Sequence, residues 1–151
     1  MINDGFLEQL QVSIEEYLRG LSTFRGTPIL TYKQSDIDSI LRAAVGGGVG
    51  STILILPPSP TEVLPNTPGP VFKKIICKVQ VIENFATNRT GRSAIFIAER
   101  VMQYLHFWRP RIGDWNDELT LSITNPWSST LENDTNIITL QFEINCVLKY
   151  M

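Results

Sequence analysis

With 151 residues, 43% of them hydrophobic, the chain has the length of one domain and enough apolar content to bury a substantial core. Thirteen basic against fifteen acidic residues leave a net charge of −2, which speaks against a protein that depends on wrapping nucleic acid. No run approaches the roughly 18 uninterrupted apolar residues of a membrane-spanning helix, and MINDGFLEQLQ lacks the basic start and apolar core of a secretion signal, so a soluble, unsecreted single domain over residues 1–151 is expected.

In chain order, Phe6, Leu7, Leu10, Ile14, Tyr17, Leu18 and Leu21 recur at helical spacing, with Glu8, Gln11, Glu15, Glu16 and Arg19 on the other side. Asp4 is the expected N-cap and Gly20 lies near the end. Leu30 to Lys33 suggests a short strand after Pro28. SDIDSILRAAV, from Ser35, suggests a short helix with capping-box-like spacing of Ser35 and Asp38. GGGVGST, residues 46–52, invites comparison with a phosphate loop, but it follows a helix, enters the strand expected from Thr52 to Leu56, and has no Walker lysine; it reads as a flexible connection. PPSPTEVLPNTPGP, residues 57–70, holds six of the nine prolines and is expected to be a long irregular loop that cannot pair as a central strand. Such a loop is a candidate arm for a partner.

Two long alternating runs follow. In KKIICKVQVIEN, Ile75, Cys77, Val79 and Val81 share a face; in NIITLQFEINCVLKYM, Ile138, Leu140, Phe142, Ile144, Cys146 and Leu148 alternate with wetter positions, the signature of an antiparallel sheet with one core face. Between them, Ala94, Ile97, Ala98, Val101, Leu105 and Trp108 mark a helix ended near Pro110, and Leu119 to Ile123 offers a shorter strand. The expected class is α+β: a mostly antiparallel β-sheet packed with two main α-helices and one short helix.

Residues that commonly carry chemistry lack the companions that chemistry needs. Cys77 and Cys146 read as small buried hydrophobes, with a disulfide left open if their strands pair; together with His106 they fall short of the four ligands of a structural zinc. His106 has no nucleophile motif beside it and is expected to stack with Phe107 and Trp108. Asp114, Asp117 and Glu118 do not match a calcium loop and read as a solvated turn or an interface. Trp108, Trp115 and Trp127, with Arg109 and Arg111 nearby, suit a core or protein interface better than a platform for single-stranded nucleic acid. No catalytic, cofactor-binding or metal residue is assigned, and an enzyme is not expected.

Charge is unevenly spread. From Lys73 to Arg111 eight basic residues face two acidic ones, a local +6 that leaves −8 elsewhere, so copies of the chain, or an acidic partner, can meet it with complementary potentials. Within that basic centre, NRTGRS joins a strand to a helix. Thr90 or Ser93 caps the helix, and the amides there, with Arg89 and Arg92, suit an anion or the carboxylate of a neighbouring subunit.

The first amphipathic helix, the strand ending VQVIENFATNR, the helix SAIFIAERVMQYLHFW and the last strand IITLQFEINCVLKY together resemble the tail terminator, or tail-completion, proteins of long-tailed bacteriophages. The similarity covers most of the chain and is anchored in residues 75–108 and 137–150. It implies a structural virion subunit, assembled in the bacterial host cytoplasm, that forms a homo-oligomeric, hexameric ring on a completed tail tube, ends polymerisation, and joins the tail to a neck or connector protein. In contractile tails the sheath is a further partner, and DNA passes through the lumen without sequence-specific binding. No cofactor, catalysis or membrane is implied. By position, Asn88, Arg89 and Arg92 are the subunit or partner interface candidates, with Arg109 and Arg111 added from the Trp-Arg cluster. A head-to-tail connector, or a small nucleotide-binding module using GGGVGST or NRTGRS, is the alternative reading.

Overall fold

A computed structural model describes residues 5–31, 50–63, 65, 71–112 and 117–149, of which 63, 71 and 145–149 are described by backbone alone. The short helix expected from Ser35, the cap expected at Asp4, and residues Asp114 and Trp115 lie outside the described residues.

The spacing of Phe6, Leu10, Ile14 and Leu18 is realised in α1 (Phe6–Arg19), which buries this stripe. Gly5, in the left-handed region, takes the N-cap position, and Gly20 caps the other end. A 3-10 turn (Ser22–Phe24) then leads to β1 (Ile29–Thr31). Polar groups on α1 fix its place against the sheet: buried Gln11 donates its amide to the carbonyl of Ile55 at 3.0 Å, and the Arg19 guanidinium donates to the carbonyl of Ile29 at 2.6 Å. The Arg19 head group also pairs with Glu15 one turn earlier, at 2.8 Å.

Among the described residues seven strands form one mixed sheet. Its centre is the antiparallel pair of β4 (Val71–Asn84) and β7 (Thr135–Lys149), in register from Val71 opposite Lys149 to Asn84 opposite Thr135, with a bulge between Phe72 and Lys74. Each long strand carries two shorter ones in tandem on its other edge. Along β4 lie β2 (Ser51–Ile55) and β3 (Ser59–Val63); along β7 lie β5 (Thr120–Leu121) and β6 (Trp127–Glu132). β1 joins β2 in parallel, and the other five pairings are antiparallel. β1 begins one residue before the expected Leu30, its expected end at Lys33 lies outside the described residues, and β2 is displaced by one residue from the expected Thr52 to Leu56.

The alternation in β4 and β7 determines the layers. Ile75, Cys77, Val79, Val81, Ile138, Leu140, Phe142 and Ile144 form one buried face. Against it pack α1 and α2 (Ala94–Leu105), the latter through Ala94, Ile97, Ala98, Val101 and Leu105. Burying each large aliphatic side chain here contributes about 1.5–3 kcal/mol. β2 is buried along its whole length, so Ile53, Leu54 and Ile55 are apolar in succession without alternating, and even Ser51 and Thr52 are buried. The fold is thus a single α+β domain, as expected.

Four expectations are corrected. Ser59–Val63, inside the segment read as an irregular loop, is a strand; among the described residues it pairs on one side only, with Pro60 opposite Ile75, which is where a residue without an N–H is tolerated. β6 was not legible because Trp127–Glu132 is exposed almost throughout and therefore carries no alternation. It returns into β7 through the two-residue link Asn133–Asp134, with Asn133 at φ 54°, a backbone that asparagine tolerates well. Ile123, expected to share a face with Leu119 and Leu121, is 91% exposed because the chain bends away after β5. Cys77 lies opposite Phe142, four positions along β7 from Cys146; at about 3.4 Å per residue that offset is far beyond disulfide reach.

Candidate functional site

The connection from β4 to α2 is built around one carboxylate. Glu83, the next-to-last residue of β4, is 5% exposed, and its Oε1 accepts the N–H of Ala94 at 2.9 Å, in the first turn of α2. Its Oε2 accepts from the Asn88 side-chain amide at 2.5 Å. A negative charge beneath a helix start is favourable both as a hydrogen-bond acceptor and against the helix dipole. The carboxylate expected from a neighbouring subunit at this amide is therefore supplied within the chain, because the end of β4 lies directly under the start of α2.

Asn88 organises the rest of the loop. Its Nδ2 also donates to the carbonyl of Arg92 at 2.8 Å, while its Oδ1 accepts from the Thr90 amide at 2.9 Å and the Thr90 hydroxyl at 2.7 Å. Ser93, not Thr90, is the N-cap, its Oγ accepting the N–H of Phe96 at 3.1 Å. Gly50 completes the seat. It sits at φ +85°, its carbonyl accepts the N–H of Asn84 at 2.8 Å, and a Cβ added to it would stand 2.4 Å from the backbone nitrogen of Asn88. The last glycine of GGGVG is thus required by close backbone approach rather than by a phosphate.

Two arginines emerge from this loop differently. Arg89 is exposed. Arg92 is half-buried: its guanidinium donates to the carbonyl of Thr23 and lies over the Phe96 ring, 5.7 Å from its centroid. Arg25, which follows the 3-10 turn, joins them, and the three frame a concavity of about 300 Å³ together with Gly26, Thr27 and Thr90. Among the described residues none of the three arginines is in an ion pair. Arg25 was not legible as a site residue, since it lies more than sixty positions from Arg89 and only the packing of two turns brings them together.

Arg109 and Arg111 lie beyond the other end of α2, whose 12 residues span about 18 Å. They therefore form no common site with Arg89 and Arg92. Arg109 pairs with Glu118 at 2.9 Å, and Arg111 is exposed. Both line a groove of about 1530 Å³ whose opposite wall is the outer side of α1, with Glu8, Val12 and Glu16. Phe107, expected only as a stacking partner of His106, stands at its edge, 63% exposed at φ 66°.

The aromatic residues there serve packing. Trp108 stacks on Tyr17 with centroids 4.5 Å apart and planes 10° from parallel, and the Tyr17 hydroxyl donates to the carbonyl of Tyr104 at 3.3 Å. Burial, and then the neighbouring Tyr104, raise the Tyr17 phenol above its ordinary value. His106 meets Phe107 with centroids 3.9 Å apart but tilted by 38°, whereas Trp108, the other expected stacking partner, lies on Tyr17 instead; the His106 Nδ1 accepts the N–H of Leu121 at 3.1 Å. Trp127 packs against the core. Among the described residues no three His, Cys, Asp or Glu side chains are grouped to hold a metal.

No family model and no curated protein matches this sequence. A solved structure does. The chain is similar in fold to a chain of the virion of a native gene transfer agent particle, with a TM-score of 0.63 at 17% identity, over 97% of this chain and 100% of the other. No helix among the described residues is long and apolar enough to cross a membrane.

Proposed function

We propose that this chain is a structural virion subunit of the tail-terminator type, forming a hexameric ring that caps the tail tube, ends its polymerisation and joins the tail to a neck protein. The observation that carries this reading is the end-to-end likeness of fold to a virion chain, with neither protein left with a substantial unmatched part. The element order of α1, β4, α2 and β7, which resembles tail terminators, points to the same class. A subunit that must contact copies of itself, a tube below and a neck above needs several unlike surfaces. It has an exposed edge strand in β6, a cluster of arginines at the β4–α2 connection that makes no ion pair among the described residues, and a groove beside α1.

In this role Arg89, Arg92, Arg109 and Arg111 contact partners, and Asn88 acts through the loop that it braces. DNA passes through the ring without sequence-specific contacts, and a mildly acidic subunit favours passage without adhesion. Light scattering and electron microscopy of the purified chain, alone and with tail tubes, test this. Rings seated on tube ends, with elongation arrested, are expected. A chain that stays monomeric and ignores tubes refutes it, and rings that bind only the head connector point instead to a neck adaptor.

A further inference from the structure

The sheet presents opposite charges at one end, on its two flanks. At that end the strand order is β1, β2, β4, β7, β6, which at about 4.8 Å per step separates the outer strands by about 19 Å. On the β1 flank, Arg25, Arg89 and Arg92 frame their concavity. It is held at the start of β2 by the bond from the Ile53 N–H to the carbonyl of Pro28, 2.8 Å, and by the contact of Gly50 with Asn88. On the β6 flank, the turn between β6 and β7 carries Glu132 and Asp134. Both are exposed, and neither is in an ion pair among the described residues. The turn is anchored at the same level, since the Phe85 N–H donates to the carbonyl of Asp134 at 2.8 Å.

A head-to-tail contact between identical subunits needs two different, complementary patches on opposite flanks at the same height, and such contacts close into rings when the rotation permits. We propose that the arginine concavity receives the carboxylates of Glu132 and Asp134 from the β6–β7 turn of a second copy of this chain. This contact presupposes the ring-forming role proposed above. Guanidinium groups suit it because their planar donors match carboxylate oxygens in pairs. Arg92 is fixed in place by the Thr23 carbonyl and Phe96. Arg25 and Arg89 are exposed and in no ion pair among the described residues, so they can close on the incoming turn, and the contact weakens as salt is raised.

The test is a charge exchange. One variant carries Arg25→Glu and Arg89→Glu, the other Glu132→Lys and Asp134→Lys; all four positions are exposed, and circular dichroism checks that both variants fold. Each variant alone is expected to self-associate on the order of a hundredfold more weakly than the parent. Mixing the two restores rings, because each supplies the patch that now complements the other. If the parent forms rings and either variant alone does so equally well, or the mixture fails to recover, the contact is wrong while the ring-forming role stands. If the parent makes no ring with or without tubes, both fall. Retention of short duplex DNA by the parent, lost on reversing Arg25 and Arg89 while rings persist, assigns the concavity to nucleic acid phosphate and overturns the proposal.

Discussion

Replacing Gly50 with alanine separates two costs that the fold imposes at one residue. The backbone at φ +85° disfavours any Cβ by about 1–2 kcal/mol. In addition, the new carbon would stand 2.4 Å from the Asn88 nitrogen and the Thr87 carbonyl carbon, backbone atoms that move only if the whole connection moves. Overpacking of this kind adds about 1–3 kcal/mol, for a total of about 2–5. Gly91, in the same connection, provides the control: it has φ +73° but open space where a Cβ would stand, so Gly91→Ala should cost only the first part. The gain from stiffening the unfolded chain, about 0.4–1 kcal/mol, applies to both and cancels in the comparison. Urea denaturation of the two variants at unchanged m-value gives the difference. Gly50→Ala should be less stable than Gly91→Ala by more than about 1 kcal/mol, which corresponds to about 2–4 °C in melting temperature for a domain of this size. Values within about 0.5 kcal/mol of each other would refute the close approach of Gly50 to the Asn88 backbone.

Glu83→Ala removes the shared acceptor of the Ala94 amide and the Asn88 side chain, and should cost about 2–4 kcal/mol in urea denaturation while leaving the loop more open to hydrogen exchange. Ser93→Ala deletes the N-cap of α2 and should cost about 0.5–2 kcal/mol, whereas Ser93→Asp should restore most of it. Phe142→Ala, at a fully buried position, should cost about 3–5 kcal/mol by thermal or urea unfolding. Because the Tyr17 phenol is raised above 10.0, the folded state holds its proton more tightly than the unfolded chain; its contribution is complete below that pH and is lost as pH rises through the folded value. Tyr17→Phe should flatten the fall in stability above pH 10, and spectrophotometric titration should show one late-ionising tyrosine that the variant lacks.

The long regular elements were legible because one residue periodicity reports one burial direction. Ile138, Leu140, Phe142 and Ile144 alternate since β7 has a core on one side only, and Phe6, Leu10, Ile14 and Leu18 follow a helix stripe for the same reason. The signal failed where burial is uniform or absent. β6 is exposed almost throughout, and Pro60, with the prolines flanking β3, outweighs a pairing that an edge position tolerates. Within the candidate site, the cap at Ser93 was visible as local chemistry. The carboxylate under the helix was not, because Glu83 only continues the core-facing parity of Ile75, Cys77, Val79 and Val81, and nothing local in the sequence says which helix start it will meet.

By itself the sequence determined the α+β class, both main helices, the two central strands and the basic character of the β4–α2 connection, all of which depend on neighbours within a few residues. Only the tertiary structure decided that Gly50 serves the Asn88 backbone, that Glu83 fills the acceptor position at α2, and that Arg25 joins Arg89 and Arg92 while Arg109 and Arg111 stand about a helix length away. Each of these depends on where separate turns meet across a sheet. A polypeptide's local pattern fixes which way a side chain points along its own element, but not which distant turn it will face.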